Sequence, residues 1–462
     1  MNRKKILSLG LSVMLAIPFI RLSGMAKEIS NNNMSEQINS ISNENSVEKT
    51  SFVKTDGNHF VLDGKPFYFE GTNNYYLPYA EDYMVKDVFD KAQLMGIKVM
   101  RTWGFNDGKT YDYCGVTLQT KLGEYSEEGF KKFDYVVKEA KEHGIKLVVP
   151  FVNNWKEFGG TIQYAKWTGA QYNGEQSEEF YSNDKCKQAY KSYVKFFINR
   201  TNSLTGIKYK DDPTIMTWEL ANEPRCPSDR SCTILTKWAD EMSSYIKEID
   251  SNHLVAVGDE GEFNRGGSDY LYNGGCGLDW DKIVALKNID YGTFHLYPDG
   301  WNKTVEWGTQ WIIDHINVAN KVNKPAVLEE YGVRSDKEKA YRTWGDTILQ
   351  YKGAGSMFWL LTGVTWGGTS QYPDYDGFNV NYSDKIASVL KEYAEKMSAQ
   401  NIAENKVGDV NEDGIVDTND FIRLKNFIKY NKKNVKINEK NADINKDGKV
   451  NISDLALLKA LL

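Results

Sequence analysis

The chain has 462 residues, of which 41% are hydrophobic and 26% charged, and its formal net charge is -6. This length allows one large domain and a second small one, and it excludes a single small module. The acidic balance, without a stripe of Lys and Arg, argues against a nucleic-acid-binding protein. Aromatic residues form 13% of the chain, with 12 Trp and 28 Tyr, which suits stacking on the flat faces of sugars as well as core packing.

The first 26 residues predict a secretory signal peptide. Basic residues at 3–5 precede an apolar run over 6–20, and small residues at 24–26 are typical of a cleavage site. The apolar run is shorter than the ~20 residues that a spanning helix needs, which favours export over a membrane anchor. Residues 27–50, rich in Asn, Ser and Glu, are expected to be a disordered leader.

Between residues 51 and 397, eight short apolar runs recur, each followed by polar or glycine-rich residues and then by a stretch of helical periodicity. Eight strand-helix units predict an α/β fold, a closed (β/α)8 or TIM barrel, and near-continuous apolar strands fit burial on both faces. The runs lie at 67–73, 97–103, 145–153, 215–224, 253–261, 291–298, 325–332 and 355–363.

The end of the chain contains an internal duplication. After a predicted linker at 398–407, residues 408–462 repeat one pattern, offset by 34 residues from Asp409 to Asp443. Each copy has oxygen-bearing side chains at loop positions 1, 3, 5, 9 and 12 and glycine at position 6, which is typical of a calcium loop. Position 12 is Asp where an EF-hand has Glu, so a calcium sensor is not expected. The candidate ligands are Asp409, Asn411, Asp413, Asp417, Asp420, Asp443, Asn445, Asp447, Asn451 and Asp454.

The five cysteines do not indicate a disulfide scaffold, and they are not spaced as a zinc site. Cys226 and Cys232 are close enough in one loop to pair, and the sequence leaves that question open. Cys114, Cys186 and Cys276 remain unassigned.

Polar and aromatic residues gather where the predicted strands end. Because the active site of such a barrel lies at the carboxyl ends of its strands, these residues are judged as one set. Carboxylates on the fourth and seventh strands would face one cavity, which suits glycoside hydrolysis: one donates a proton, and the other attacks or activates water. A separation of about 5 to 5.5 Å means retention, and roughly 6.5 to 9.5 Å means inversion. The set is Arg101, Trp103, Asn153, Trp155, Asn222, Glu223, Glu260, His295, Tyr297 and Glu330, with Trp359 within the last strand.

The motifs NEP at 222–224 and EYG at 330–332, with Arg101, His295, Tyr297 and Trp359 in matching strand contexts, resemble glycoside hydrolase family 5 over 51–396. The resemblance implies a retaining enzyme, with Glu223 as acid/base and Glu330 as nucleophile. It also implies that Asn222 donates to the sugar 2-hydroxyl, Arg101 and Tyr297 support Glu330, and Trp359 floors the sugar subsite. Adjacent strand residues point to opposite faces, so Glu329 is expected to face away from the mouth that Glu330 faces.

The segments FYFEGTNNYYL, RTWGFND, VNNW, WELANEPRC and HLYPDGW resemble the β-mannanase branch of that family. This implies an endo-β-1,4-mannanase acting on mannan-type plant polysaccharides. Arg225 would contact a sugar on the leaving-group side, and Trp103, Asn153 and Trp155 would line the cleft. The alternatives are an endo-β-1,4-glucanase, a cellulase of the same family, and a non-catalytic polysaccharide-binding barrel.

The duplicated tail resembles a type I dockerin, a small all-α module in which a calcium loop and one helix are repeated. The resemblance implies two Ca2+ ions in the tail, none in the catalytic step, and docking to a cohesin of a cellulosome scaffold. Recognition would use Thr418, Asn419, Ile452 and Ser453. A purely structural calcium module is the alternative. Together these features predict a secreted, extracellular, cellulosome-associated enzyme.

Overall fold

The computed structural model describes residues 51–108, 116–401, 407–411, 416–430 and 435–462. The predicted signal peptide and leader, half of the predicted linker, Cys114 and the candidate ligand Asp413 lie outside these ranges. Within them, no helix combines the length and the apolar character that a membrane span requires.

All eight apolar runs form strands of one parallel sheet, which confirms the predicted barrel. The strand order is β5-β4-β3-β2-β1-β8-β7-β6. The strands are β1 Phe69–Asn73, β2 Val99–Arg101, β3 Lys146–Pro150, β4 Ile215–Glu219, β5 Leu254–Ala256, β6 Gly292–Leu296, β7 Ala326–Tyr331 and β8 Gly355–Phe358.

The sheet closes between β5 and β6 through backbone bonds near both ends of these strands. The Asp290 N–H donates to the Val255 carbonyl at 2.8 Å, and the His295 N–H donates to the Glu260 carbonyl at 3.2 Å. His295 is thereby fixed at the carboxyl end of β6, where the neighbouring strands also end.

The helices surround the sheet and bury their apolar faces against it. In α2, buried residues recur at three-and-four spacing, and the Ser126 hydroxyl caps the helix by accepting from the Gly129 N–H at 3.1 Å. The helices are α1 Asp82–Leu94, α2 Glu127–Glu142, α3 Gly160–Thr168, α4 Asp184–Asn199, α5 Thr233–Ile249, α6 Trp280–Ala285, α7 Pro298–Trp301, α8 Val305–Lys321, α9 Lys337–Tyr351 and α10 Lys385–Ala399.

The amino end of the barrel is sealed by a three-stranded antiparallel sheet, Lys54–Asp56, His59–Leu62 and Lys65–Pro66. Phe60 of this sheet packs on Phe69 and Tyr291, with ring centroids 5.9 and 5.1 Å away. Apolar side chains of the barrel strands join the same cluster, so the barrel opens only at its carboxyl end. They are Val99, Val148, Met216, Leu254, Ala256, Val327 and Met357.

Short elements complete the barrel domain. Two-stranded pairs occur in the loops that follow β2 and β8, and single 3-10 turns follow β1, α3 and α4. These elements are Gln119–Lys121 with Glu124–Tyr125, Leu361–Thr362 with Val380–Asn381, Leu77–Tyr79, Glu178–Tyr181 and Tyr209–Asp211.

The duplicated tail forms a small helical module, as predicted, with α11 Thr418–Lys429, α12 Glu439–Ala442 and α13 Ile452–Leu461. It has a hydrophobic core of its own, so its helices need no other part of the chain to bury their apolar faces. The core residues are Val410, Leu424, Phe427, Ala442, Val450, Leu455 and Leu458.

The buried carboxyl of Glu70 makes the stability of the barrel depend on pH. Tyr331 donates to Glu70 Oε1 at 2.8 Å and Ser356 donates to Oε2, but burial dominates and raises the pKa of Glu70 from 4.5 to about 8. The folded chain therefore holds a proton that the unfolded chain has lost between these two values. Stability from this group is fully present below pH 4.5 and is lost as the pH rises towards 8.

We expect Glu70→Gln to remove this dependence, because the amide keeps the shape and cannot ionise. Between pH 5 and 8 the wild-type free energy of unfolding should fall relative to that of the variant by up to about 1.4 kcal/mol per pH unit. Urea unfolding of both proteins across this range measures the difference. Parallel curves would contradict the protonated state of Glu70.

Candidate active site

The carboxyl ends of the strands surround an open cavity of about 880 Å³. Eight of the residues singled out in the sequence line it, and Arg101 and His295 lie directly behind them. The eight are Trp103, Asn153, Trp155, Asn222, Glu223, Tyr297, Glu330 and Trp359. The further lining residues are Tyr75, Glu157, Phe158, Gly300, Arg334, Trp366, Tyr372, Tyr375, Asp376 and Phe378.

Glu223 and Glu330 face each other across this cavity. A carboxylate oxygen of Glu223 and a carboxylate oxygen of Glu330 lie within 4.8 Å of each other. Both oxygens lie within the same distance of a ring nitrogen of His295. This spacing is shorter than the roughly 6.5 Å at which inverting carboxyl pairs begin. The short spacing brings both carboxyls to one part of the cavity.

Glu223 reaches the cavity through an unusual backbone conformation. Its φ is 53°, in the left-handed region that residues other than glycine rarely occupy, and its N–H donates to the Gly258 carbonyl at 2.8 Å. Such a conformation costs about 1 to 3 kcal/mol and persists only where the surrounding structure holds it. The strain turns the side chain at the end of β4 towards Glu330.

Two donors hold the Glu223 carboxyl. His295 Nδ1 lies 2.9 Å from Oε1, and the Trp155 indole N–H donates to Oε2 at 2.6 Å. Burial opposes ionisation, but the bond and charge of His295, the bond from Trp155 and the charge of Arg225 lower the pKa of Glu223 to about 2. Glu223 is therefore an anion while His295 is charged.

Glu330 is held by Arg101 Nη1 and by the Tyr297 hydroxyl, which donates to Oε2 at 2.8 Å. Burial raises the pKa of Glu330, and the nearby charge of Glu223 raises it further, against the opposing effects of His295, Arg101 and Tyr297. Burial also works against a charged His295, yet Glu330, Glu223 and Glu329 together raise its pKa well above the usual value. Two carboxyls this close share a proton as one unit.

Glu330 faces the mouth and Glu329 does not, as predicted, but the expected reason, that the two side chains lie on opposite faces of the sheet, is wrong. Glu329 Oε2 lies 3.5 Å from Arg101 Nε and 3.6 Å from His295 Nε2, inside the barrel and beneath Glu330. The cause is a bulge in β7: His295 pairs with Glu330 directly after Phe294 pairs with Leu328, so Glu329 is the extra residue. Only Glu330 of the two lines the cavity.

Arg101 connects both catalytic strands from a fully buried position. Its Nε donates to Glu219 at 2.7 Å, and its Nη2 donates to the Asn222 side-chain oxygen at 2.9 Å. The Asn222 amide group donates in turn to Asn153 at 3.0 Å. One guanidinium thus orients Glu330 and the amide that precedes Glu223.

Aromatic rings form the walls of the cavity. Trp359 lies nearly parallel to Tyr75, with ring centroids 6.0 Å apart and an interplanar angle of 11°, and its indole N–H donates to Asp376 at 2.9 Å. Half of the ten lining residues that sequence reasoning missed belong to the loop 364–378 after β8. The signal for it was present, because WGGTSQYPDYDGF is dense in aromatic residues and follows the last strand.

Arg225 lies outside the residues that line the cavity. Its guanidinium pairs with Glu260 and lies over the ring of Trp155, 5.4 Å from the ring centroid. In this arrangement Arg225 supports Trp155, and through it the donor to Glu223. Glu260, noted among the strand-end residues, is the counter-ion of Arg225.

The cysteines of the described residues are free thiols, including Cys226 and Cys232. The Cys226 thiol points to Glu178, whereas Cys232 donates to the Leu278 carbonyl at 3.2 Å. Burial is the main cause that raises the pKa of Cys226 to about 12 and that of Cys232 to about 11. The two side chains have separate partners, which answers the question that the sequence left open.

The second loop of the tail has an oxygen donor set that fits Ca2+. Asp443 accepts from the Gly448 N–H at 2.8 Å, which bends the loop, and the fully buried Asp454 accepts from the Ile444 N–H at 2.9 Å. Asp420 makes the equivalent contact in the first loop, with the Val410 N–H at 2.7 Å. The short Asp at position 12 thus ties the end of each loop to its beginning.

Comparison with known proteins identifies the family. The model described as GH family 5 beta-mannosidase-like matches residues 50–365, about two thirds of the chain. The chain belongs to this family. The type I dockerin model matches residues 407–462.

Family members with names or structures are similar over most of their length. A probable mannan endo-1,4-beta-mannosidase A of Aspergillus flavus is 38% identical over 73% of this chain and 88% of its own. The structure of an endo-1,4-beta-D-mannanase from Thermotoga petrophila is 43% identical, with a TM-score of 0.69, over 71% of this chain and 100% of its own. The endo-1,4-beta-mannanase structure from Rhizomucor miehei is 42% identical, with a TM-score of 0.68, over 76% and 100%.

Proposed function

We propose that this protein is a secreted endo-β-1,4-mannanase that hydrolyses internal linkages of mannan-type polysaccharides with net retention. The separation of the Glu223 and Glu330 carboxyls, within 4.8 Å, is the observation that carries the mechanism. The names of the similar family members support mannan as substrate.

In the first step Glu330 attacks the anomeric carbon and forms a glycosyl ester, while Glu223 gives its proton to the departing glycosidic oxygen. Arg101 and Tyr297 orient Glu330 for this attack. In the second step Glu223, now an anion, takes a proton from water, and the oxygen of that water attacks the anomeric carbon from the face that the first leaving group left, which breaks the bond to Glu330 and frees its carboxylate. Two inversions at one carbon give net retention.

In the free protein the pKa of Glu330 is raised and that of Glu223 is lowered, which favours the proton on Glu330. The first step needs the proton on Glu223. His295 Nδ1 lies 2.9 Å from Glu223 and 3.7 Å from Glu330, within reach of both carboxyls. His295 can therefore give a proton to Glu223 and take one from Glu330.

The Asn222 amide and the Trp359 ring form the sugar site beside the pair. The Asn222 side-chain oxygen accepts from Arg101 and one amide N–H donates to Asn153, so the second amide N–H is left to donate to the sugar. This group faces the cavity and suits a 2-hydroxyl whose hydrogen bond strengthens in the transition state. Trp359 offers a flat apolar face to the sugar ring.

Glu223→Ala and Glu330→Ala should each lower kcat on linear mannan by at least about a hundredfold, since each removes a group that acts in the transition state. On an aryl glycoside, whose leaving group departs without a proton, azide should restore turnover to both variants with opposite products. The β-glycosyl azide is expected from Glu223→Ala, because azide replaces water, and the α-glycosyl azide from Glu330→Ala, because azide replaces the nucleophile.

The matched control is Glu392→Ala. Glu392 is an exposed residue of α10 that pairs with Arg342, and its variant should keep wild-type activity. Full turnover by Glu330→Ala on every polysaccharide tested would refute the mechanism. Reducing ends released from a soluble cellulose derivative, at rates above those from mannan, would favour the endo-β-1,4-glucanase alternative.

The endo assignment is supported by a cleft that continues beyond the catalytic sugar site. Trp366 and Tyr375 line the cavity, although 42% and 73% of their surfaces are exposed. Exposed rings at the edge of an open cleft suit stacking on further sugars of a long chain.

Trp366→Ala should raise KM on mannan roughly fivefold, corresponding to the loss of about 1 kcal/mol of stacking, and leave kcat little changed. The expected loss is smaller on oligosaccharides too short to reach Trp366. Tyr172→Ala is the control, since Tyr172 is 51% exposed and lies outside the residues that line the cavity. Equal effects on long and short substrates would show that Trp366 only supports the loop.

The tail is proposed to bind two Ca2+ ions and a cohesin of an extracellular cellulosome scaffold. Thr418 with Asn419 and Ile452 with Ser453 are exposed at equivalent positions, at the beginnings of α11 and α13. Ile452 and Ser453 therefore occupy the same positions in the second repeat as Thr418 and Asn419 do in the first.

Removal of Ca2+ with a chelator should abolish binding to an immobilised type I cohesin and leave the hydrolysis of mannan largely unchanged. The two loops carry the metal, whereas the catalytic step uses the carboxyl pair of the barrel. Surface plasmon resonance and a reducing-sugar assay on one treated sample measure both properties, and added Ca2+ should restore docking. Loss of both properties together would contradict this division.

A further inference from the structure

Beneath the catalytic pair, a second pair of carboxyls lies inside the barrel. Glu219 of β4 and Glu329 of β7 are both fully buried and are hydrogen-bonding neighbours. Arg101 Nε lies 2.7 Å from Glu219 Oε2 and 3.5 Å from Glu329 Oε2. Neither residue lines the cavity, so neither contacts substrate.

The oxygens of this pair are short of donors. Among the described residues, Glu219 Oε1 and both oxygens of Glu329 have no hydrogen-bond donor. A buried carboxylate without donors is costly, and two of them side by side are more so. A single proton between the carboxyls supplies a donor and removes the repulsion at once.

We propose that Glu219 and Glu329 share one proton and act together as a single negative charge that positions Arg101 and His295 beneath the catalytic pair. The geometry of the contacts gives each carboxyl a part. Glu219 binds Arg101 directly, whereas Glu329 faces both Arg101 and His295 Nε2, which is 3.6 Å away.

Charge balance over the buried groups requires this proton. Arg101 and His295 contribute two positive charges, and they face the lower carboxyl pair and the catalytic pair. With one proton on each pair, the sum is zero. After Glu330 becomes an ester and Glu223 an anion, the sum is zero again, so the reaction builds no net charge inside the barrel.

The effects of the neighbouring charges on the pKa values of Glu219 and Glu329 are consistent with one proton shared by these two carboxyls. Burial and the charge of Glu329 raise the pKa of Glu219 against the effect of Arg101. Burial opposes ionisation of Glu329, but Arg101, Glu219 and His295 lower its pKa. The proton therefore lies mainly on Glu219.

The other titratable groups that face this pair are Tyr291, Asp259 and the catalytic carboxyls. Burial raises the pKa of Tyr291 and of Asp259 well above their usual values, and the charge of Glu329 adds to both shifts. Burial thus disfavours the charged forms of Tyr291 and Asp259, and the balance is drawn over the two cations and the four carboxyls.

Glutamine substitutions test the shared proton. After either Glu219→Gln or Glu329→Gln, the remaining carboxylate keeps the single negative charge. The two limbs of the plot of kcat/KM against pH should then lie at the same pH values as in the wild type, even if the maximal kcat/KM differs. The double variant loses the charge, which lowers the pKa values of Glu223, Glu330 and His295, and both limbs should move to lower pH by roughly one to two units.

Two other outcomes would overturn the proposal. Two ionised carboxylates predict that each single substitution moves the limbs and that the shifts add in the double variant. Two protonated carboxyls predict no shift in any of the three proteins. Thermal unfolding of each variant shows whether the barrel remains folded, so that a lost fold is not read as a shifted profile.

Infrared spectroscopy tests the proton without reference to activity, whereas the pH profile rests on the proposed function. At neutral pH, the wild type minus either single variant should show the carbonyl band of one protonated carboxylic acid. The Glu219→Gln variant minus the double variant should show only a carboxylate. A wild-type spectrum without the acid band would refute the shared proton even if the mannanase mechanism holds, and failure of that mechanism would leave this result standing.

Discussion

The guanidinium of Arg101, buried in the barrel and bound on three sides, is the contact on which the site depends. It reaches Glu219 on β4, Glu330 on β7 and the side chain of Asn222, so one planar group sets the relative positions of two opposite sides of the sheet. A buried cation needs such partners, because an unpaired charge in this interior would cost several kcal/mol. The carboxyls need it equally, so cation and anions stabilise one another in a single arrangement.

The two ends of the barrel have different chemistry for a physical reason. Near the amino end the interior is filled by apolar side chains, and the short antiparallel sheet packs Phe60 against them. Near the carboxyl end the interior holds charged groups that are fully or nearly fully buried beneath an open cleft. The apolar end provides rigidity, and the burial of Arg101 and His295 away from bulk water strengthens their electrostatic interactions at the other end.

Much of this could be predicted from the sequence, because apolar runs report burial and strand ends report the position of a barrel site. All eight strands follow from that pattern, and eight predicted residues line the cavity. The bulge at Glu329 could not be predicted, since it depends on how β7 pairs with both neighbouring strands. The role of Arg225 was hidden for a similar reason: its partner Glu260 belongs to another strand end, and only the fold brings them together.

The left-handed backbone at Glu223 has a consequence for how such a protein can change over time. Glycine or asparagine suits this conformation better than glutamate does, so the replacements that relax the chain most are ones that lack the acid. Under the proposed mechanism, such a replacement of Glu223 would leave a folded barrel that binds polysaccharide and does not hydrolyse it. A single substitution at Glu223 would therefore turn a hydrolase of this architecture into a polysaccharide-binding protein.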